Sequence, residues 1–294
     1  MANLKEIRIR LNSVKSTRQI TSAMKMVSAA KLRRAQDAIL QLRPFFIKLH
    51  DVLRRVSSGV EEEADNVYTH GENAGRVLLV VITSNRGLCG AFNSNITKRA
   101  IQIINEQYHE AYQNGKLDII AVGKKGADQL KSKGFKITAT HHELFDKLNF
   151  EGATLLSNQM IQDFLQLKYS TIKLVYNQFK NAAVQEITDE FFLPVQPAPK
   201  SEDKYESPAD YILEPSDKAI LDEMIPYTLR VQFFRALLES NASEHGARMT
   251  AMHKATDNAT DLIKELELNY NKARQAAITS EILEIVGGAN ALKN

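Results

Sequence analysis

The constraint that bears hardest on this chain is that both of its ends read as helix, with almost nothing to stop either run. Residues 1–57 carry thirteen Lys/Arg against three Asp/Glu, on an apolar repeat that returns every three or four residues. Leu4, Ile7, Leu11 and Val14 set the frame, and Leu32, Ala35, Ile39, Leu42, Phe46, Leu49, Leu53 and Val56 resume it. So narrow a stripe is the seam of a coiled coil rather than the broader face of a globular helix. Residues 216–294 repeat the pattern through Leu238, Ala242, His245, Met249, Met252, Thr256, Ala259, Ile263, Leu266, Tyr270, Ala273 and Ala277. At about 1.5 Å per residue the two helices would run roughly 85 and 110 Å, so the second outreaches the first by about 25 Å if they pair from a common junction. Its apolar end, Ile278, Ile282, Ile285, Val286, Ala289 and Leu292, must then be buried by another chain. Two such helices make a shaft, and function is to be sought in partners rather than in a pocket.

Between the two runs of the first helix the frame falls on Arg18, Thr21, Lys25 and Ser28, while Ile20, Met24 and Val27 sit one position earlier. Either the supercoil stutters there or this face turns toward another protein; the residues leave both open. Pro44 and Pro226 each remove one helical hydrogen bond and are expected to bend their helices without ending them. Ser57-Ser58-Gly59 and the run Glu61–Glu63 end the first helix, and Ser216 is placed to cap the last.

From Arg76 the period changes. Residues 77–83 form a continuous apolar run, as in a strand covered on both faces. A turn over 84–90 leads to a helix over 93–113, then come a strand at 117–122, a helix at 124–133 and a strand at 135–140. A helix over 153–167 and two strands, 171–178 and 184–192, joined near Asn181, complete the domain. Strands alternating with helices predict a mostly parallel sheet with right-handed crossovers. The expected organisation is α/β and α-rich: a coiled-coil helix over 1–57, an α/β domain over 76–194, an exposed linker over 195–215 with its prolines and charges, and a second coiled-coil helix over 216–294.

The net charge of +3 hides segregation: +10 on residues 1–57 and about −2 on residues 216–294, which hold nine basic and eleven acidic side chains, leaving about −5 between them. A basic helix beside a mildly acidic one favours their pairing, and the surplus is either a solvated face or an invitation to an acidic partner. Nucleic acid is a weaker reading, because no aromatic residue interleaves with the basic ones before Phe45. No stretch reaches the length of a membrane span and the start is no signal peptide, so a cytoplasm-like compartment is expected. The single cysteine, Cys89, allows no internal disulfide.

Little chemistry stands out. Ser84-Asn85-Arg86-Gly87-Leu88-Cys89-Gly90-Ala91 lies between a strand and a helix, where nucleotide loops sit. It lacks the Lys-Ser/Thr of a P-loop and does not spell GxGxxG, so its glycines are expected to serve a tight turn and close helix packing. His141-His142-Glu143 has no third ligand at useful spacing. No cofactor, metal or catalytic set is expected.

Specific motifs lie at both ends. Lys5-Glu6-Ile7-Arg8 with the run Ile20-Thr21-Ser22-Ala23-Met24-Lys25-Met26-Val27-Ser28-Ala29-Ala30-Lys31-Leu32 resembles the opening of gamma subunits of rotary F-type ATP synthases. Arg248-Met249-Thr250-Ala251-Met252, Ala255–Ala259 and the run Tyr270–Ile282 resemble their close, and Ser84–Gly90 adds a looser match. The resemblance implies an antiparallel coiled coil inside a ring of three alpha and three beta subunits. It also implies a Rossmann-like domain docked on an epsilon subunit and the membrane c-ring, at the cytoplasmic face of a bacterial inner membrane. The subunit would be non-catalytic, coupling proton flow to ATP synthesis or hydrolysis on the beta subunits by rotation. By motif match, Met24 meets an acidic lever of beta, Arg274, Gln275 and Thr279 engage a beta loop, and Arg248 lies in a second contact segment. Ile282, Ile285 and Val286 turn in an apolar sleeve. The two-cysteine regulatory insertion of one family branch is absent here. The competing class is a coiled-coil adaptor with no rotary role.

Overall fold

The computed structural model of the chain describes residues 4–58, 67–68, 75–195, 214 and 216–291. Helix α1 spans Leu4–Ser58 and helix α6 spans Asp217–Ala291. Pro44 lies inside α1 and Pro226 inside α6, and neither ends its helix. Ser216 caps α6 by accepting the Ala219 N–H on its Oγ at 3.3 Å. The acidic run Glu61–Glu63, almost all of the expected linker, and Leu292 lie outside the described residues.

The chain divides into two compact units. One joins the residues up to Ser28 with those from Arg248 onward, and the other is Ala29–Ala247. In the second unit, strands β1 (Val77–Ile82), β2 (Leu117–Val122), β3 (Ala139–Thr140), β4 (Thr171–Phe179) and β5 (Gln185–Leu193) form one sheet in the order β3-β2-β1-β4-β5. β1 pairs parallel with β2 and β4, β2 parallel with β3, and β4 antiparallel with β5. The interposed helices are α2 (Phe92–Gln107), α3 (His109–Gln113), α4 (Lys124–Ser132) and α5 (Phe150–Leu165).

β1 reads as one apolar run because the sheet is covered on both faces. Leu78, Val80 and Ile82 enter a core built with α5 (Leu156, Met160, Phe164) and α6 (Leu229, Phe233, Leu237). Leu79 and Val81 enter the opposite core with α2 (Ile96, Ala100, Ile103) and Leu130 of α4. The β4–β5 turn is held by Asn181, whose Oδ1 accepts the N–H groups of Ala183 and Val184 at 2.9 and 2.8 Å. A short polar side chain that satisfies its own turn is what asparagine supplies there.

Two sequence expectations need correction. The helix expected over 93–113 is broken at Tyr108, whose φ of −128° is not helical, although its N–H still bonds to Ile104 O. No glycine or proline marks the break. The strand expected over 135–140 pairs only at Ala139 and Thr140. The Phe135 N–H is already taken by Leu130 O beyond the end of α4, and only from Thr138 N–H to Ile119 O does the segment join the sheet edge.

One polar cluster is deeply set. Lys173 on β4, with 4 % of its side chain exposed, lies 2.7 Å from Asp189 on β5, which also binds Arg99 of α2 at 2.7 Å. Burial pushes the Asp189 carboxyl up, but hydrogen bonds and charge from Lys173 and Arg99 outweigh it and hold the group below its usual range. A depressed carboxylate contributes stability that is full above its unfolded value and is lost as pH falls through its folded value. We predict that Asp189→Asn lowers unfolding stability by about 3 kcal/mol, because Lys173 keeps its charge in the interior without a counter-ion. Urea denaturation at neutral pH measures this, and the variant should also lose part of the wild-type fall in stability on acidification.

Candidate functional site

In the unit formed by the start of α1 and the end of α6, the two helices pack antiparallel. Leu11 is buried with Ile263 and Leu266, flanked by Ile7, Val14 and Leu262. Farther along α1, Thr21 meets Thr256, whose Oγ1 donates to the Thr21 hydroxyl at 2.9 Å. Lys15 pairs with Glu267 at 2.8 Å across the flank, an exposed pair of modest worth.

The seam of α1 does not rotate. Thr21 and Ser28 are buried and Arg18 and Lys25 half-buried, so the frame of Leu11 and Val14 runs unbroken to Leu32, Ala35 and Ile39. The stutter is therefore absent: hydroxyl side chains take the seam positions, and Thr21 makes its hydrogen bonds there. Ile20 and Val27, with Ile9, lie about half a turn away from Leu11 and are 58–61 % exposed. Met24 is half-buried, whereas Met26 is exposed and edges an open groove of about 420 Å³ with Arg18, Gln19, Ser22, Ala23, Thr256 and Thr260.

On α6 the seam holds through Met252, Ala259, Ile263 and Leu266, and Tyr270 and Ala273 are half-buried. Every residue from Arg274 to Ala289 is exposed. That includes Arg274, Gln275 and Thr279, the last of which donates to Gln275 O at 2.9 Å. Ile278, Ile282, Leu283, Ile285 and Val286 are between 48 and 71 % exposed over about 12 Å of helix. Leu283, off the stripe read from the sequence, widens the exposed apolar face, and Ser280, Glu281 and Glu284 take the opposite side. Arg248 differs from the other expected contact residues. Only 8 % of it is exposed, so its side chain belongs to the interior of the chain.

In the α/β unit, the carboxyl ends of β1 and β4 mark the switch in strand order where such sheets bind ligands. That place is closed by protein. Asn177 of β4 donates from Nδ2 to Phe92 O at the start of α2 (3.4 Å) and accepts the Ser243 hydroxyl of α6 on its carbonyl (3.1 Å). Gly246 of α6 is so close to the β4–β5 turn that a Cβ there would lie 3.1 Å from Ala182 O. Within the 84–90 loop, Ser84 Oγ donates to Asn93 Oδ1 at 3.0 Å, and Asn93 Nδ2 donates to buried Cys89 Sγ at 3.2 Å. The expected roles of its glycines are redistributed. Left-handed backbone falls on Leu88 and Gly90, and close packing falls on Gly126, where a Cβ would meet Thr83 Oγ1 at 2.5 Å. His141 and His142 both face Glu143, at 3.1 and 3.8 Å, and no group of ligands for a metal ion occurs among the described residues. No described helix is long and apolar enough to cross a membrane.

Residues 3–292 match the ATP synthase family. The ATP synthase gamma chain of Cytophaga hutchinsonii is 51 % identical over 295 residues, covering all of both chains. Among solved structures, a chain of the central stalk and c-ring of the Tetrahymena thermophila mitochondrial ATP synthase is 25 % identical, with a TM-score of 0.59 over 80 % of this chain and 99 % of that one. A chain of the Euglena gracilis mitochondrial ATP synthase rotor, 23 % identical, has a TM-score of 0.67 over 94 % of this chain and 98 % of that one, and bears on the fold alone.

The two stretches of α6 should respond oppositely to mutation. Leu266→Ala removes a buried seam contact and is expected to cost about 2–3 kcal/mol. Ile282→Asp with Ile285→Asp touches only exposed positions and should change stability by no more than about 0.5 kcal/mol. Denaturation of the purified chain followed by helical circular dichroism compares them directly.

Proposed function

This chain belongs to the ATP synthase family as a gamma chain, and on that premise we propose that it is the central rotor shaft of an F-type ATP synthase. It couples transmembrane proton flow, by rotation, to ATP synthesis or hydrolysis at sites carried by beta subunits. The observation that carries this reading is the apolar end of α6, which is exposed from Arg274 to Ala289 and has no cover among the described residues. So broad an exposed apolar face calls for cover by other chains. A ring of three alpha and three beta subunits supplies that cover, and full-length kinship to gamma chains favours the rotor over a non-rotary adaptor.

The side chains suit such a role. Ile282, Ile285 and Val286 offer burial without direction, so the end can slip as it turns. Arg274, Gln275 and Thr279 offer directional hydrogen bonds to a beta loop. The back face of α1, with Ile20 and Val27 outward and Met24 at its border, is the surface offered to the acidic lever of a beta subunit. Arg248, being interior, acts by holding the contact segment of α6 in place. The α/β unit docks the epsilon subunit and the c-ring. The subunit itself is non-catalytic and sits peripherally on the cytoplasmic face of the bacterial membrane.

Two experiments test this. With purified alpha and beta subunits, Ile282→Asp/Ile285→Asp should weaken assembly, since two carboxylates would enter an apolar sleeve. In the same system, Arg274→Ala/Gln275→Ala should assemble yet lower steady-state ATPase about tenfold, the effect of losing about 1.4 kcal/mol of directional contact. Normal assembly of the first variant and full turnover of the second would sink the reading.

Calorimetric titration of the isolated chain with Mg-ATP should give no binding heat. The 84–90 loop has no Lys-Ser/Thr to meet phosphate and metal, and Ser243 and Gly246 of α6 pack where a ligand would lie.

A further inference from the structure

Where α1, β5 and α6 meet within the α/β unit, one buried cation is bound by one carboxylate and has a second nearby. Arg235 of α6 donates from a single nitrogen, Nη2, to both oxygens of Glu190 on β5, at 2.9 and 3.2 Å. Its guanidinium carbon lies 4.2 Å from the centre of the Phe46 ring of α1, a cation–π contact. One helical turn on, Glu239 is only 3 % exposed. Its Oε2 has no hydrogen-bond partner among the described residues, and neither has Arg235 Nε.

The charges around Glu239 come from four elements. Arg235 stands on its own helix, Arg43 on α1, Glu190 on β5, and the Tyr176 phenol on β4. Arg43 is exposed, so its charge is screened by water. Glu190 already neutralises Arg235. An ionised Glu239 would be a second anion in the same interior, with one oxygen unsolvated and unbonded, the costliest state for a carboxylate. Neutral, it needs only a place for one proton.

We propose that Glu239 is carried protonated in the folded protein, and that its ionisation loosens the junction of α1, β5 and α6 by setting a second carboxylate in competition with Glu190 for Arg235. The junction is then a pH-sensitive clamp, tight at low pH and weaker as pH rises. Burial, the largest influence on the group, pushes its pKa upward, in agreement with the geometry. The sign follows from linkage. A group raised on folding contributes stability that is full below its unfolded value and is lost as pH rises through its folded value. Asp118 and Asp189 have the opposite bias, being held below their usual range by the donors around them.

The test uses the full-length chain and Glu239→Gln, which copies the shape of the neutral acid and cannot ionise. Folding stability of both proteins is measured by urea denaturation from about pH 5 to about pH 9, spanning the range above the ordinary glutamate value. Relative to E239Q, the wild-type folding constant should fall with rising pH, by up to about tenfold per pH unit while the folded group stays protonated and the unfolded one does not. Infrared spectra should also show a protonated carboxyl band in the wild type near neutral pH that is missing in E239Q. Parallel pH profiles, no such band, or failure of E239Q to fold would each overturn the proposal. The infrared measurement on the wild type stands whatever the variant does.

Discussion

The contact between Thr21 and Thr256 sets much of what this molecule can do. An antiparallel pair of long helices with a seam of small and aliphatic residues could pack in several registers at similar energy. The Thr21–Thr256 hydrogen bond is made in one register only, although each hydroxyl also has a carbonyl of its own helix in reach, Arg18 O at 3.1 Å and Met252 O at 2.7 Å. With Thr21 opposite Thr256 and Leu11 opposite Ile263 and Leu266, cover along α6 stops near Ala273. Register therefore decides which part of α6 remains bare, and the bare part is what other subunits can enclose.

The same helix does different work in the α/β unit. There α6 covers one face of the sheet alongside α5, through Leu229, Phe233 and Leu237. It also closes the switch point, where Ser243 and Gly246 meet β4 and the following turn. A sheet of nucleotide-binding topology is thus converted into a mount for a helix, and the crevice that would hold a ligand holds backbone.

Charge follows a similar division. Exposed ions along the coil, such as Lys15 with Glu267, contribute little to stability and leave the basic surface of α1 open to acidic partners. Inside the α/β unit, deeply set ions tie elements together. Lys173, Asp189 and Arg99 tie α2 to the two antiparallel strands, and Arg235 ties α6 to Glu190 and Phe46. Their worth lies in what removing one partner would leave behind, an uncompensated charge in a low-dielectric interior.

By itself, the sequence determined the elements whose signal is local and periodic. The heptads of α1 and α6, the doubly buried run of β1, the Asn181 turn and the Ser216 cap were all legible, since each depends on residues within a turn or two of one another. The apolar excess after Ala273 was legible too, although Leu283 fell outside the stripe. What only the tertiary structure decided depended on distant partners. Thr21 and Ser28 looked like a break in the seam because hydroxyls are not apolar, and Thr256, 235 residues away, is what makes Thr21 a seam residue. Arg248 read as a contact residue by motif, yet packing drew it inside. The break at Tyr108 is marked by no glycine or proline, and β3 is cut short because the Phe135 N–H is taken by Leu130 O. Local propensity chooses the helix or strand; which face is buried, and against what, is settled only when the other side of the contact arrives.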